Sequence, residues 1–208
     1  MDSSSSTTSD PREVEKGNRL AAAWRDPHGQ MWPLHRLNQL RAPFVSEAIK
    51  SHFSTRSLEG ISILDIGCGA GLLSEPLAKQ GAVVTGIDAA EHNVSIAQRH
   101  ARSAEVDINY VHGAAEDLNA HQTFDIVLNM EVIEHVVNLP AFMAHTCRLT
   151  RSGGLMFLAT IDRTWFSWLT TIIGAEYLLG WLPREAMIGD VMSSRRMPRR
   201  AWIRADSR

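Results

Sequence analysis

Apolar positions recur at helical spacing through residues 13–53, and the run is broken once, at Asp26-Pro27-His28-Gly29, a turn signal. From residue 61 the texture changes to short apolar runs of strand length separated by amphipathic stretches. Residues 61–66 read as a buried strand that ends in glycines, followed by a helix over 72–80 with Gly81 as its stop. A second strand is predicted over 82–87, stopped by Asp88, then a helix over 93–104 and a third strand over 108–111. A fourth strand at 124–129, a helix at 139–149, a Ser152-Gly153-Gly154 turn and a fifth strand at 155–160 complete the pattern. Strands alternating with helices imply right-handed crossovers, so the expected fold is α/β: a Rossmann-like parallel sheet with helices on both faces.

The same pass divides the chain into a disordered tail at 1–12, a helical cap at 13–53 and a Rossmann-like core at 54–164. An apolar segment at 165–184 and an atypical basic tail at 185–208 follow. From Arg184 the chain has seven arginines (184, 195, 196, 199, 200, 204, 208) against three acids (185, 190, 206) and no strand pattern.

Composition changes this picture little. With 208 residues, 44% hydrophobic and 21% charged, the chain suits one soluble domain with a true core. A net charge of -2 gives no whole-chain reason to expect a nucleic-acid partner. Two cysteines, Cys68 and Cys147, cannot make a disulfide framework, which suits a reducing compartment. The first ten residues show neither secretory-signal nor transit-peptide character, so a cytoplasmic location is expected.

The chemistry begins at Asp65-Ile66-Gly67-Cys68-Gly69-Ala70-Gly71. Gly67, Gly69 and Gly71 after a strand let the backbone turn sharply and approach a ligand, and Asp65 can anchor the turn. Asp88 closes the next strand, where two carboxylate oxygens can meet two ribose hydroxyls. A nicotinamide fingerprint would need glycine at position 72, which is Leu72, so the spacing favours S-adenosylmethionine over NAD. Glu116, beyond the third strand, can reach an adenine amino group, and Met130, after the fourth, can pack on the ring. Glu131, Glu134 and His135 stand at i, i+3 and i+4, so a helical turn would gather them on one face. Such a set can bind a divalent metal, while His135 with Glu134 can equally serve as acid–base machinery.

With these residues in hand, the chain resembles the ubiquinone-biosynthesis O-methyltransferases. Trp24-Arg25-Asp26-Pro27-His28-Gly29 and Pro33-Leu34-His35-Arg36-Leu37-Asn38-Gln39-Leu40-Arg41 are similar to the family's W-W-D-x-x-G and P-L-H-x-x-N-x-x-R signature. The resemblance implies methylation of a ring hydroxyl on a polyprenyl phenol or quinol. It makes Arg41 a cofactor-site residue meeting the methionine carboxylate, and it raises Mg²⁺ as a second cofactor at Glu131, Glu134 and His135. It also implies contact with the inner membrane by an apolar insertion, here 165–182, and a ubiquinone-biosynthesis complex as partner. That stretch carries Glu176 and two glycines, so an interfacial helix fits better than a span, with a lid over the substrate pocket as the other use. Trp24-Arg25 replaces the family's paired tryptophans, and the ending departs altogether from the family's last strands. The expectation is therefore a sheet whose C-terminal strands are missing, with an uncovered edge and reduced stability. A truncated, inactive cofactor-binding remnant is the reading that this departure leaves open.

Overall fold

The computed structural model describes Glu15, His28, residues 32–119 and 121–159, and the backbone of Trp202–Arg204. Helix α1 spans Trp32–Phe53. Its buried residues Ala42, Val45, Ser46 and Ile49 fall at i, i+3, i+4 and i+7, a single stripe that docks on the sheet. Strand β1 (Ser62–Ile66) leads through the glycine turn to α2 (Ser74–Ala78), then β2 (Val83–Asp88) and α3 (Glu91–Ser103). Next come β3 (Asn109–His112), a single 3-10 turn (Ala115–Asp117) and β4 (Phe124–Met130). A second 3-10 turn (Ile133–His135), α4 (Leu139–Leu149) and β5 (Thr150–Ala159) follow. Asn138 caps α4, its side chain accepting from Ala141 N at 3.2 Å, and Pro140 in the first turn costs no hydrogen bond there.

The strand order is β3-β2-β1-β4-β5, all parallel, with β6 (Trp202–Arg204) joined antiparallel to β5. The expected doubly covered sheet is therefore present. Along β4, Ile126 and Leu128 enter one core with Ile63, Leu77 and α1, while Val127 enters the other with Leu64, Phe142 and Leu149. Alternation at period 2 thus supplies both faces with apolar cover. Three details differ from the expectation. Ser152-Gly153-Gly154 lies within β5 rather than before it, Gly153 taking φ 77°. The predicted helix over 72–80 shortens to five residues, because the turn uses Leu72 and Leu73 before the helix begins. The basic tail contributes a strand after all: Phe157 registers with Trp202, Met156 with Ile203 and Leu155 with Arg204. Three residues pair with β5 even where no apolar alternation announces a strand, since an open edge binds backbone groups whatever the side chains are. The tail 1–12, the segment 165–184 and the tryptophan end of the signature lie outside the described residues.

Candidate active site

The site is assembled at the carboxyl ends of β1, β2 and β4, which neighbour one another in the sheet. Gly67, Gly69 and Gly71 take φ of 67°, 55° and 79°, the left-handed region that an L side chain enters at a cost. A Cβ at Gly67 would stand 2.5 Å from Val132 Cγ2, and one at Gly71 would stand 2.1 Å from the Tyr110 hydroxyl oxygen. The turn is thus held tight on both flanks by side chains from β3 and the segment after β4. Its backbone is tied to β2: Gly67 N and Cys68 N both donate to Ile87 O, at 2.8 and 3.1 Å.

Asp65 anchors the turn as expected, by a means the sequence did not disclose: it accepts from Ser74 Oγ at 2.6 Å, fully inside the protein. Burial pushes the Asp65 carboxyl up to about 6, against the opposing Ser74 hydrogen bond. Asp88 is the last residue of β2, and its carboxylate accepts from Gly69 N and Ala90 N, each at 2.8 Å, and from Asn93 Nδ2 at 3.2 Å. Burial raises its pKa and these hydrogen bonds hold it back. The carboxylate therefore stands fixed at the mouth of the turn, with three of its roughly four lone-pair sites filled and one on Oδ2 left for a hydroxyl donor. Cys68 packs beneath, against Gly86 and Tyr110, and burial pushes its thiol up, the opposite of what a nucleophile needs.

Arg41 reaches this edge from α1, and its guanidinium pairs with Glu131. Its positive charge also lowers the Asp65 pKa. Met130 ends β4, half-buried beside the α1 core, and Glu116 sits half-buried in the 3-10 turn that follows β3. Glu134 and His135 are exposed in the 3-10 turn beyond β4.

One expectation is corrected. Glu131, Glu134 and His135 do not come together: among the described residues, no three His, Cys, Asp or Glu side chains form a group able to hold a metal ion. The residues do not fit Mg²⁺ here, for a local reason. Glu131 takes φ 62° and its N–H donates to Ala159 O at 2.7 Å, so it stands at a sharp bend rather than in a helix. Its carboxylate turns to Arg41, and helical periodicity never operates across the three positions.

Sequence reasoning missed Glu131 as the partner of Arg41, Val132 as the wall of Gly67 and Asn93 as a donor to Asp88. It also missed Asn129, fully buried at the end of β4 with neither amide atom hydrogen-bonded. No pattern along the chain marks the Arg41–Glu131 and Gly67–Val132 contacts, because each joins segments that only the fold brings together.

Geometry and sheet order together define a class I methyltransferase fold. Magnesium protoporphyrin IX methyltransferase from Synechocystis PCC 6803 shares it with a TM-score of 0.56 at 20% identity, over 81% of this chain and 88% of that one. The PH0226 protein from Pyrococcus horikoshii OT3 gives 0.57 at 22% identity, over 79% and 69%. A methyltransferase domain model matches residues 34–202. Ubiquinone biosynthesis O-methyltransferase of Maricaulis maris is 49% identical in an alignment 180 residues long that covers 84% of this chain and 71% of that protein. The proteins so named in Mesorhizobium japonicum and Brucella ovis are 47% and 46% identical, over 86% and 88% of this chain and 74% and 77% of theirs. The chain belongs to the ubiquinone biosynthesis O-methyltransferase family.

Proposed function

We propose that this chain transfers a methyl group from S-adenosylmethionine to a ring hydroxyl of a quinone-pathway phenol or catechol carrying a polyprenyl tail. The observation that carries the reading is Asp88, locked at the mouth of the glycine turn by Gly69 N and Ala90 N. A fixed carboxylate there, with one acceptor site still open on Oδ2, suits a ribose hydroxyl, and relatives sharing nearly half of the residues are named ubiquinone biosynthesis O-methyltransferase. In this reading Gly67, Gly69 and Gly71 admit the cofactor, Arg41 meets its carboxylate, and Glu116 and Met130 receive its adenine.

The sulfonium supplies an already activated methyl, so the residues have two tasks: alignment and proton removal. A phenol of pKa roughly 10 is mostly un-ionised at neutral pH and attacks poorly until a base takes its proton. His135, exposed beyond β4 beside Glu134, is the base in this reading, and no step is assigned to a metal. Two findings test it. Calorimetric titration should show binding of S-adenosylhomocysteine, and a short-chain demethylated quinol should be methylated. Binding without methylation would instead select the inactive remnant.

The reading extends to location. A polyprenyl substrate resides in a bilayer, and 165–182 is apolar with aromatics at both ends. We place that segment at the cytoplasmic face of the inner membrane as an interfacial contact. No helix among the described residues is long and apolar enough to cross a membrane. Flotation with anionic vesicles tests the contact, and protein left at the bottom of the gradient refutes it.

A further inference from the structure

Arg41 and Glu131 are 90 positions apart, yet their side chains meet at the carboxyl edge of the sheet, only 14% and 20% exposed. Two further facts concern the bend that presents Glu131. Its left-handed φ of 62° is unusual for a glutamate, and the next residue, Val132, is the one that presses on Gly67. The pair is therefore built into the cofactor turn rather than laid over it. On the reading above, Arg41 is also the group that meets the cofactor's carboxylate. One guanidinium is thus wanted by two carboxylates, one of the protein and one of the ligand.

We propose that Glu131 holds on Arg41 the position that the methionine carboxylate takes, so that loading exchanges one carboxylate for the other and releases Glu131 at the reaction edge. The exchange rests on the assignment of Arg41 to that carboxylate. Its logic is electrostatic. A half-buried guanidinium without a partner is costly, and the internal carboxylate compensates it until a better-placed one arrives. The internal contact then lowers apparent affinity, because it must be broken first. It also accounts for the separation of Glu131 from Glu134 and His135.

Calorimetry on the full chain tests this with two probes: S-adenosylhomocysteine, which bears the carboxylate, and 5′-methylthioadenosine, which lacks the whole amino-acid arm. Glu131→Gln keeps the shape and removes the competing charge. It should bind S-adenosylhomocysteine about 3- to 10-fold tighter than wild type, a factor set by the usual strength of such pairs. Its affinity for methylthioadenosine should not change. Glu131→Asn, whose short side chain tolerates the left-handed backbone, should move the same way and serves if the first variant does not fold. Arg41→Gln should lose about tenfold or more for S-adenosylhomocysteine alone. If neither Glu131 variant tightens that probe while Arg41→Gln weakens it, Glu131 braces Arg41 and the exchange is overturned. If Arg41→Gln leaves the probe unaffected, the underlying assignment of Arg41 fails instead, and the exchange with it. Parallel changes in both probes would mean general damage to the site and would also overturn it.

Discussion

Gly67 faces two separate demands, and a double-mutant cycle can weigh them. Its φ of 67° penalises any L side chain by roughly 1–2 kcal/mol, while a Cβ there would lie 2.5 Å from Val132 Cγ2. Carbon atoms rest at roughly 3.5–4.0 Å, so the approach is a hard overlap of about an ångström with a branched, stiff side chain. Overpacking of this kind costs about 1–3 kcal/mol, which puts Gly67→Ala at about 2–5 kcal/mol in all. Val132→Ala alone removes two methyl groups at a half-buried position and should cost about 1 kcal/mol. It also deletes the atom in conflict, since the next approach is Val132 Cβ at 3.8 Å. The double variant should therefore be about 1–3 kcal/mol more stable than the sum of the single effects, leaving only the backbone penalty and the lost methyl groups. Urea titration of the four proteins measures this coupling. Thermal melts should show it at about 2–4 °C per kcal/mol for a chain of this size. Additivity within about 0.5 kcal/mol would refute the reasoning, because it would mean that Gly67 is required for its dihedral angles alone and that Val132 does not wall the turn.

Three further outcomes are expected. Asp65 binds its proton more tightly in the folded protein, where its carboxyl sits at about 6 against an ordinary 3.8. The native state thus holds more protons between those values, and Asp65 makes stability fall as pH rises from about 4 to 6, by up to about 3 kcal/mol. Asp65→Asn keeps an acceptor for Ser74 and should flatten that part of the stability–pH curve, so an unchanged slope in urea melts would contradict the shift. Asp88→Asn should weaken S-adenosylhomocysteine about 10- to 100-fold, the loss of a hydrogen bond to a charged acceptor, and wild-type affinity by calorimetry would remove Asp88 from the site. His135→Ala should keep that affinity while turnover drops about 10²- to 10⁴-fold, and wild-type turnover would take His135 out of the mechanism.

The sequence alone determined the strands and the glycine turn, which depend on local order. Short apolar runs closed by glycine or aspartate placed the first four strands within a residue or so at each end, because burial on both faces keeps most positions of such strands apolar. Left-handed turns favour glycine, so the cofactor loop was visible as Gly67, Gly69 and Gly71, and Asp88 followed from its place at the next strand end. Only the tertiary structure decided which distant groups meet. Helical spacing put Glu131 with Glu134 and His135, but that inference assumed a helix where the chain bends sharply and gives Glu131 to Arg41. Likewise the arginine-rich tail bore no strand signal, and an open edge of β5 still recruited Trp202–Arg204. Hydrogen bonds between backbones ignore side-chain pattern, and ion pairs ignore distance along the chain; both become visible only once the sheet has brought the partners together.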